Sequence, residues 1–380
     1  MTKGRGIVIA GGGTGGHVVP SLQIARALVA RGHAAGSIEL YGSRRGQEAI
    51  AWPALEFPFT LLPGRGIRRS LQPRALWANA GAGIGLLRAT AMALGSFLRR
   101  RPRVVVVVGG YASFPAGVAA VLTRVPMVLV NTDAVPGAVN ALLGRFAAVN
   151  AVAFPGTDLP RAHVTGTPVL PALRTLDRSP EGRQEAKGLL GLPRDGRAVA
   201  AVGGSLGALR INTAVAGLAD RWADRAGLSL YHVAGRRDYA RFARPGPGDL
   251  DHPPAGAGLH YQVVPFEERM AEVYRAADLC VCRAGAMTVA ELLVSGVPSV
   301  LVPLPGAPRD HQTRNAQALV AAGAAIMVPD DECSAERLDS ELTALLADAG
   351  RLAAMGAAAR ELGHPDAAAR VAELVDAHAR

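Results

Sequence analysis

The chain has 380 residues, of which 49% are hydrophobic and 19% charged, and it carries a formal net charge of +10. The apolar content excludes a disordered chain, and the length exceeds what one ordinary hydrophobic core organises, so two domains are expected. Three cysteines, Cys280, Cys282 and Cys333, form no C-x-x-C pair, which fits a reduced cytoplasmic protein rather than a disulfide framework.

The first predicted elements lie in "GIVIAGGGTGGHVVPSLQIARAL": a strand over 6–10, a glycine tract, and a helix from Ser21. Gly11, Gly13 and Gly16 have the G-x-G-x-x-G spacing in the strand–turn–helix context of a dinucleotide loop. A nicotinamide site also wants an acid at the end of the second strand. Here "SIELYGSRRG" ends on Ser43, Arg44 and Arg45. Arginines there would suit a 2′-phosphate, so an NADP-dependent oxidoreductase stays open at this point. No charged-then-apolar leader opens the chain, and no signal peptide is expected.

From Phe57 to Thr132 there is no Asp or Glu but there are ten arginines; the remaining basic and acidic residues balance, so this stretch holds the whole net charge. A local basic field implies an anionic partner surface. Within the basic 65–103 segment, Arg65, Arg68, Arg69, Arg74, Arg88, Arg99, Arg100, Arg101 and Arg103 are interspersed with Leu71, Leu76, Trp77, Ile84, Leu86, Leu87, Met92, Phe97 and Leu98. That mixture predicts contact with an anionic membrane surface. Nucleic acid is a poor partner, because only 4% of residues are aromatic and no stacking module is visible.

Next, Val104–Thr123 is charge-free over a length that could span a bilayer. Its five valines instead predict a buried strand, and "GGYASFPAG" a turn into a helix. "MVLVN" is the following strand. "VTGTPVLPALRTLDRSPEGR" is rich in proline and turn formers and predicts a domain connection, with the boundary at 164/165. Further strands are expected in "AVAAVGGS", "LSLYHVAG", "LHYQVVPF", "DLCVCRAG", "SVLVPLPG" and "AIMVP". Continuous apolar strands alternating with helical patterns predict an α/β protein with doubly wound parallel sheets. The halves are 1–164 and 165–364, and the tail 365–380 is a helix able to return to the first domain.

Three glycine loops carry the candidate chemistry. The first ends in His17, an ionisable group placed where a general base would act. The second holds Gly109 and Gly110, and the third holds Gly203, Gly204, Ser205 and Gly207. Bare backbone at a helix N-terminus can approach a diphosphate closely. Farther on, Thr288 and Glu291 share one helix face, where a carboxylate can accept two ribose hydroxyls. Asp310 is a candidate N-cap, with Gln312 two residues later.

In order and spacing, "GGGTGGHVVPSLQIARAL", "VVGGYASFPAG", "VGGSLGALRIN" and "VCRAGAMTVAELLVSGVPSVLVP" resemble the signatures of the MurG family, over essentially the whole chain. The resemblance implies a GT-B fold, with two Rossmann-like domains facing across a cleft. It implies an inverting glycosyltransferase that moves GlcNAc from UDP-GlcNAc to the 4-hydroxyl of MurNAc in lipid I, the undecaprenyl-diphosphate-linked MurNAc-pentapeptide, giving lipid II at the cytoplasmic face of the cell membrane. Thr14, Gly15 and Gly16 would contact the donor side of the cleft, with their loop also facing the acceptor diphosphate, and His17 would be a base or acceptor ligand. Ser205 would meet the UDP phosphates. Ala286, Met287, Thr288, Val289, Ala290 and Glu291 would form the donor segment, with Glu291 on the ribose and Gln312 on the GlcNAc hydroxyls.

Two stretches depart from the family pattern. The family's H-E-Q-N reads "VNTD" here, which puts Asp133 in place of an amide and makes it a second candidate base. The family's G-N-P-V-R ends in Leu170 rather than arginine. With no D-x-D motif, no catalytic metal and no cofactor are expected. The remaining alternatives are a related UDP-sugar transferase with another acceptor, a sugar-nucleotide epimerase of the same fold, and the NADP enzyme.

Overall fold

In the computed structural model, residues 6–46, 48–64, 73–204, 207–243 and 258–380 are described. The chain divides into two compact units, Met1–Leu170 with Pro365–Arg380, and Pro171–His364. The division falls between Leu170 and Pro171 rather than at 164/165, because Thr165–Leu170 still packs with the first unit: Thr165 N–H donates to Val152 O at 3.0 Å.

The first unit holds a seven-stranded sheet in the order β3-β2-β1-β4-β5-β6-β7, parallel throughout. Its strands are β1 Ile7–Gly11, β2 Ile38–Ser43, β3 Phe59–Leu62, β4 Val104–Gly109, β5 Met127–Asn131, β6 Val149–Val152 and β7 Ala162–Val164. Its helices are α1 Gly15–Ala30, α2 Glu48–Ala51, α3 Pro73–Arg100, α4 Phe114–Thr123 and α5 Ala138–Leu143. The charge-free run at 104–123 is thus a strand and a helix. Val104, Val106 and Val108 enter one core layer with Ile24 and Leu28 of α1, while Val105 and Val107 enter the opposite layer with Ala89, Ala93 and Phe97 of α3. A strand covered on both faces needs an apolar residue at every position, which is why the valines do not alternate with polar residues.

The second unit repeats the plan with a six-stranded parallel sheet, β10-β9-β8-β11-β12-β13. Its strands are β8 Arg197–Val202, β9 Leu228–Val233, β10 His260–Val264, β11 Leu279–Cys282, β12 Ser299–Leu301 and β13 Ala325–Met327. The helices are α6 Pro180–Leu189, α7 Leu209–Arg221, α8 Tyr239–Phe242, α9 Met270–Ala276, α10 Ala286–Ser295, α11 His311–Ala321, α12 Ala335–Ala347 and α13 Ala349–Leu362. The last helix, α14 Ala367–His378, belongs to the first unit: Val371, Ala372 and Val375 sit in its core, and Asp376 bonds Arg31 at 2.6 Å and His33 at 2.7 Å.

Candidate active site

Parallel α/β sheets bind ligands beyond the carboxyl ends of the strands, where the strand order reverses. In the first sheet that point lies between β1 and β4, and in the second between β8 and β11. The β1–β4 register also slips there, pairing Gly11 with Gly109. The three glycine loops and the 283–291 segment all leave these four strands at their carboxyl ends.

At the first switch point Thr14 is the N-cap of α1, and its Oγ1 lies 3.2 Å from His17 Nδ1 rather than bonding a backbone N–H. The His17 ring packs against Gly109 and Gly110: a Cβ on either would lie within 3.2 Å of it. Both glycines have positive φ, +106° and +74°, so the closeness of the ring and the left-handed backbone each require glycine there. Asp133, half-buried, follows β5 in a loop held by amides. Asn131 Nδ2 donates to Asp133 O at 2.6 Å, and Asn140 Nδ2 donates to Asn131 Oδ1 at 3.0 Å.

One residue central to this loop escaped the sequence reading. Glu48 is fully buried, and its carboxylate accepts from Gly13 N–H at 3.0 and 2.9 Å and from Ser43 N–H at 2.7 Å. Gly12 and Gly46 leave room for the carboxylate, and a Cβ on Gly42 would lie 2.6 Å from Glu48 Cγ. Glu48 takes the Gly13 N–H, one of the groups that a dinucleotide pyrophosphate would use at this turn, which argues against the NADP reading of the loop. Tyr111 was missed as well: its ring fills the space above Gly13, and its hydroxyl donates to Ser43 Oγ at 3.1 Å.

In the second unit α10 begins at Ala286, just beyond Gly285. Ala286, Met287, Thr288 and Glu291 are partly exposed, whereas Val289 and Ala290 turn into the core, so only the first four keep side chains open to solvent. Glu291 Oε2 accepts from the Tyr274 hydroxyl at 2.9 Å. Burial pushes the Glu291 carboxyl up to about 7, against the opposing pull of that hydrogen bond. Gln312 Oε1 accepts from Leu304 N–H at 3.0 Å, which fixes the loop before α11. Asp310 occupies the N-cap position of α11 but does not cap it; it is left-handed (φ 54°) and its carboxylate accepts from Thr313 Oγ1 at 2.7 Å. Ser205 lies outside the described residues, as do Arg65, Arg68 and Arg69; the side chains of Arg74 and Trp77 are likewise not described.

Below the third loop runs a buried relay. His232 Nε2 donates to Asn212 Oδ1 at 3.0 Å, Tyr261 OH donates to His232 Nδ1 at 2.9 Å, and Asn212 Nδ2 donates to Ala234 O at 2.8 Å. Burial drives His232 down to about 4, so it is neutral and can fill both roles at once. A Cβ on Gly203 would stand 3.2 Å from Asn212 Oδ1, so the relay supports the loop directly.

The glycines sort into two sets. Gly12, Gly13, Gly109, Gly110 and Gly203 are filled from inside by the protein's own groups. Gly16 would meet only Thr14 Oγ1 at 3.6 Å, and a Cβ on Gly204 or Gly285 would meet nothing within 4 Å. The open positions are those where a ligand can approach bare backbone.

Two family models match, the glycosyltransferase family 28 N-terminal domain over residues 7–152 and its C-terminal domain over 198–371. The UDP-N-acetylglucosamine–N-acetylmuramyl-(pentapeptide) pyrophosphoryl-undecaprenol N-acetylglucosamine transferase of Alkalilimnicola ehrlichii is 43% identical, covering 98% of this chain and 99% of its own. The protein of the same name from Nocardioides sp. is 39% identical, covering 97% of each. The crystal structure of Acinetobacter baumannii MurG superposes with a TM-score of 0.74 at 29% identity, covering 98% of this chain and 99% of that one. The chain therefore belongs to glycosyltransferase family 28 and, within it, to the MurG family.

Proposed function

We propose that the chain transfers GlcNAc from UDP-GlcNAc to the 4-hydroxyl of the lipid-linked MurNAc-pentapeptide, with inversion at the anomeric carbon. The observation that carries this reading is the near-full-length likeness to transferases named for that reaction, joined to glycine loops at the switch point of both sheets. In the second unit Glu291 accepts the ribose hydroxyls, Thr288 and the backbone at Gly285–Met287 contact the nucleotide, and Gln312 contacts the sugar. Ser205 and backbone N–H groups at Gly204 and at the start of α7 stabilise the departing diphosphate. In the first unit Thr14, Gly15 and Gly16 face the acceptor. The acceptor hydroxyl attacks C1, the C1–O bond to UDP breaks, and the hydroxyl proton passes to His17 or Asp133.

The same reading places the protein on the cytoplasmic leaflet as a peripheral enzyme. Its support is α3, which has two apolar faces. One, with Ala82, Ala89, Ala93 and Phe97, is buried. The other leaves Ile84 70%, Leu87 74% and Leu98 61% exposed, beside exposed Arg88 and Arg99. Residues Gly81–Arg100 are long and apolar enough to cross a membrane. However, the buried face is part of the unit's core, so a helix lying on the bilayer fits better than one spanning it. Phe97, grouped with the lipid-facing residues in the sequence, instead packs 6.0 Å from the Tyr41 ring.

The test is turnover of UDP-GlcNAc with a soluble lipid I analogue. UDP release that requires the acceptor, with a β-linked product, supports the reading. Epimerised UDP-GlcNAc without acceptor, or no product with this acceptor and transfer to another, overturns it.

A further inference from the structure

At the amino-terminal edge of the second sheet, far from the glycine loops, lies a cavity of about 410 Å³. Arg197 opens β8, Asp278 immediately precedes β11, and both line it, so it is separated from the loops by the length of a strand, roughly 17 Å. Its walls carry four arginines, Arg178, Arg183, Arg197 and Arg360, and one carboxylate among the lining residues, Asp278. One face of α13, with Ala349, Ala353 and Gly356, keeps the space open.

The internal partners do not balance that charge. Asp278 is fully engaged: Oδ1 pairs with Arg183, and Oδ2 accepts Ala198 N–H at 2.8 Å. Arg178 donates to Tyr274 O and to Ala277 O, at the end of α9. Arg197 donates to Leu346 O, at the end of α12. Arg360 lies across Gly296, the C-cap of α10. Each helix C-terminus is worth roughly half a negative charge. Four guanidiniums against one carboxylate and three helix ends therefore leave a surplus of about one to two positive charges around an open space. Burial first, and then the neighbouring Arg183, pull Arg178 down to about 9, against the opposing pull of Asp278.

We propose that this cavity is a second anion site, which binds a compact, multivalent phosphate-bearing molecule of diphosphate type. Guanidinium forks match phosphate oxygens in pairs, and the volume is at the small end of ligand pockets. The site does not depend on the transferase reading, since none of its residues belongs to the donor or acceptor loops.

The experiment uses the full chain saturated with UDP, so that the nucleotide site is occupied, and adds inorganic pyrophosphate. Hydrogen exchange is followed over residues 349–362, the helix that lines the cavity, against the baseline of the UDP-saturated protein without pyrophosphate. Wild-type protein is expected to gain protection there at millimolar pyrophosphate, and less as salt rises. Arg183→Gln/Arg360→Gln is expected to need at least tenfold more pyrophosphate for the same protection. Arg360→Gln alone, a change on the exposed surface of α13, serves as the variant that must fold, with a several-fold loss expected. The proposal is overturned if 349–362 gains no protection in the wild type, or if the variants are protected equally well.

Discussion

Glu291→Gln separates the binding role of this residue from its burden on the fold. The Glu291 carboxyl ionises near 7 in the folded protein, against an ordinary value of 4.5. A chain that unfolds releases this proton more readily than the folded one does. Stability is therefore undiminished below about pH 4.5, falls as pH rises from there toward 7, and levels above it. The full penalty is at most about 3.4 kcal/mol. Removing the ionisable group should raise the melting temperature by several degrees at pH 8 and leave it unchanged at pH 4.5. Binding should move the other way. A carboxylate that must be ionised to accept the ribose hydroxyls is only about one-tenth ionised at pH 6, so UDP affinity should be roughly tenfold weaker there than at pH 8. UDP titrates in the same range, so the quantity to measure by calorimetry is the wild-type profile minus that of Glu291→Gln. The same pair compared on UDP and 2′-deoxy-UDP should show discrimination in the wild type that the variant loses. A flat difference profile, or equal discrimination, would remove Glu291 from the ribose.

His17→Ala should lower kcat by about 10²–10⁴ with UDP affinity intact, as loss of a general base does; if Asp133→Asn is the more damaging of the two in steady-state assays, the base is Asp133. Glu48→Ala strands the N–H groups of Gly13 and Ser43 and should destabilise the first unit by about 2–4 kcal/mol. Its acceptor KM should rise while UDP binding is unmoved, and Glu48→Gln, which keeps one acceptor oxygen, should restore part of the loss. Arg88→Gln/Arg99→Gln with Leu87→Ser should release protein from anionic vesicles, by roughly 1 kcal/mol for each arginine that faces lipid, with activity on a soluble acceptor retained. Sedimentation of wild-type protein that is indifferent to salt would count against this docking face.

The sequence made the strand–turn–helix units legible wherever the strands were long and apolar on both faces. It made the second sheet's six strands legible as well, the short β11, β12 and β13 through the longer apolar runs "DLCVCRAG", "SVLVPLPG" and "AIMVP" in which they sit. It concealed β3, β6 and β7, short runs in which Thr60, Asn150 and His163 interrupt the apolar residues. Runs that short carry no period of their own; they are strands because a neighbouring strand offers its edge. Helix α10 was legible in outline, but which side chains of its first turns stay open to solvent was not. Residues 286–291 look alike as a string, and only the helical phase turns Val289 and Ala290 into the core. Glu48 was invisible because its importance lies in four glycines, Gly12, Gly13, Gly42 and Gly46, distant from it in sequence or on the far side of a turn. Nothing in "RRGQEAI" distinguishes it from a solvated helix charge.

A glycine tract signals close approach of something to backbone, and the sequence does not say what. Here both kinds of visitor occur within one loop. Gly12 admits the Glu48 carboxylate and Gly13 the Tyr111 ring, and only at Gly16 does the backbone open outward. The third loop follows the same plan: a Cβ on Gly207 would collide with the Asp238 carboxylate, while Gly204 faces open space. In the first and third loops an acid of the protein lies against a glycine on one side; the open Gly16 stands in the first turn of α1, and the open Gly204 precedes α7. A carboxylate held against the inner side of the turn fixes the backbone and leaves the outer N–H groups for a ligand phosphate. Substitution should then divide the glycines by consequence. Gly12→Ala, forced against Glu48, should lower stability, whereas Gly16→Ala, with room for its methyl, should fold normally and lose substrate affinity.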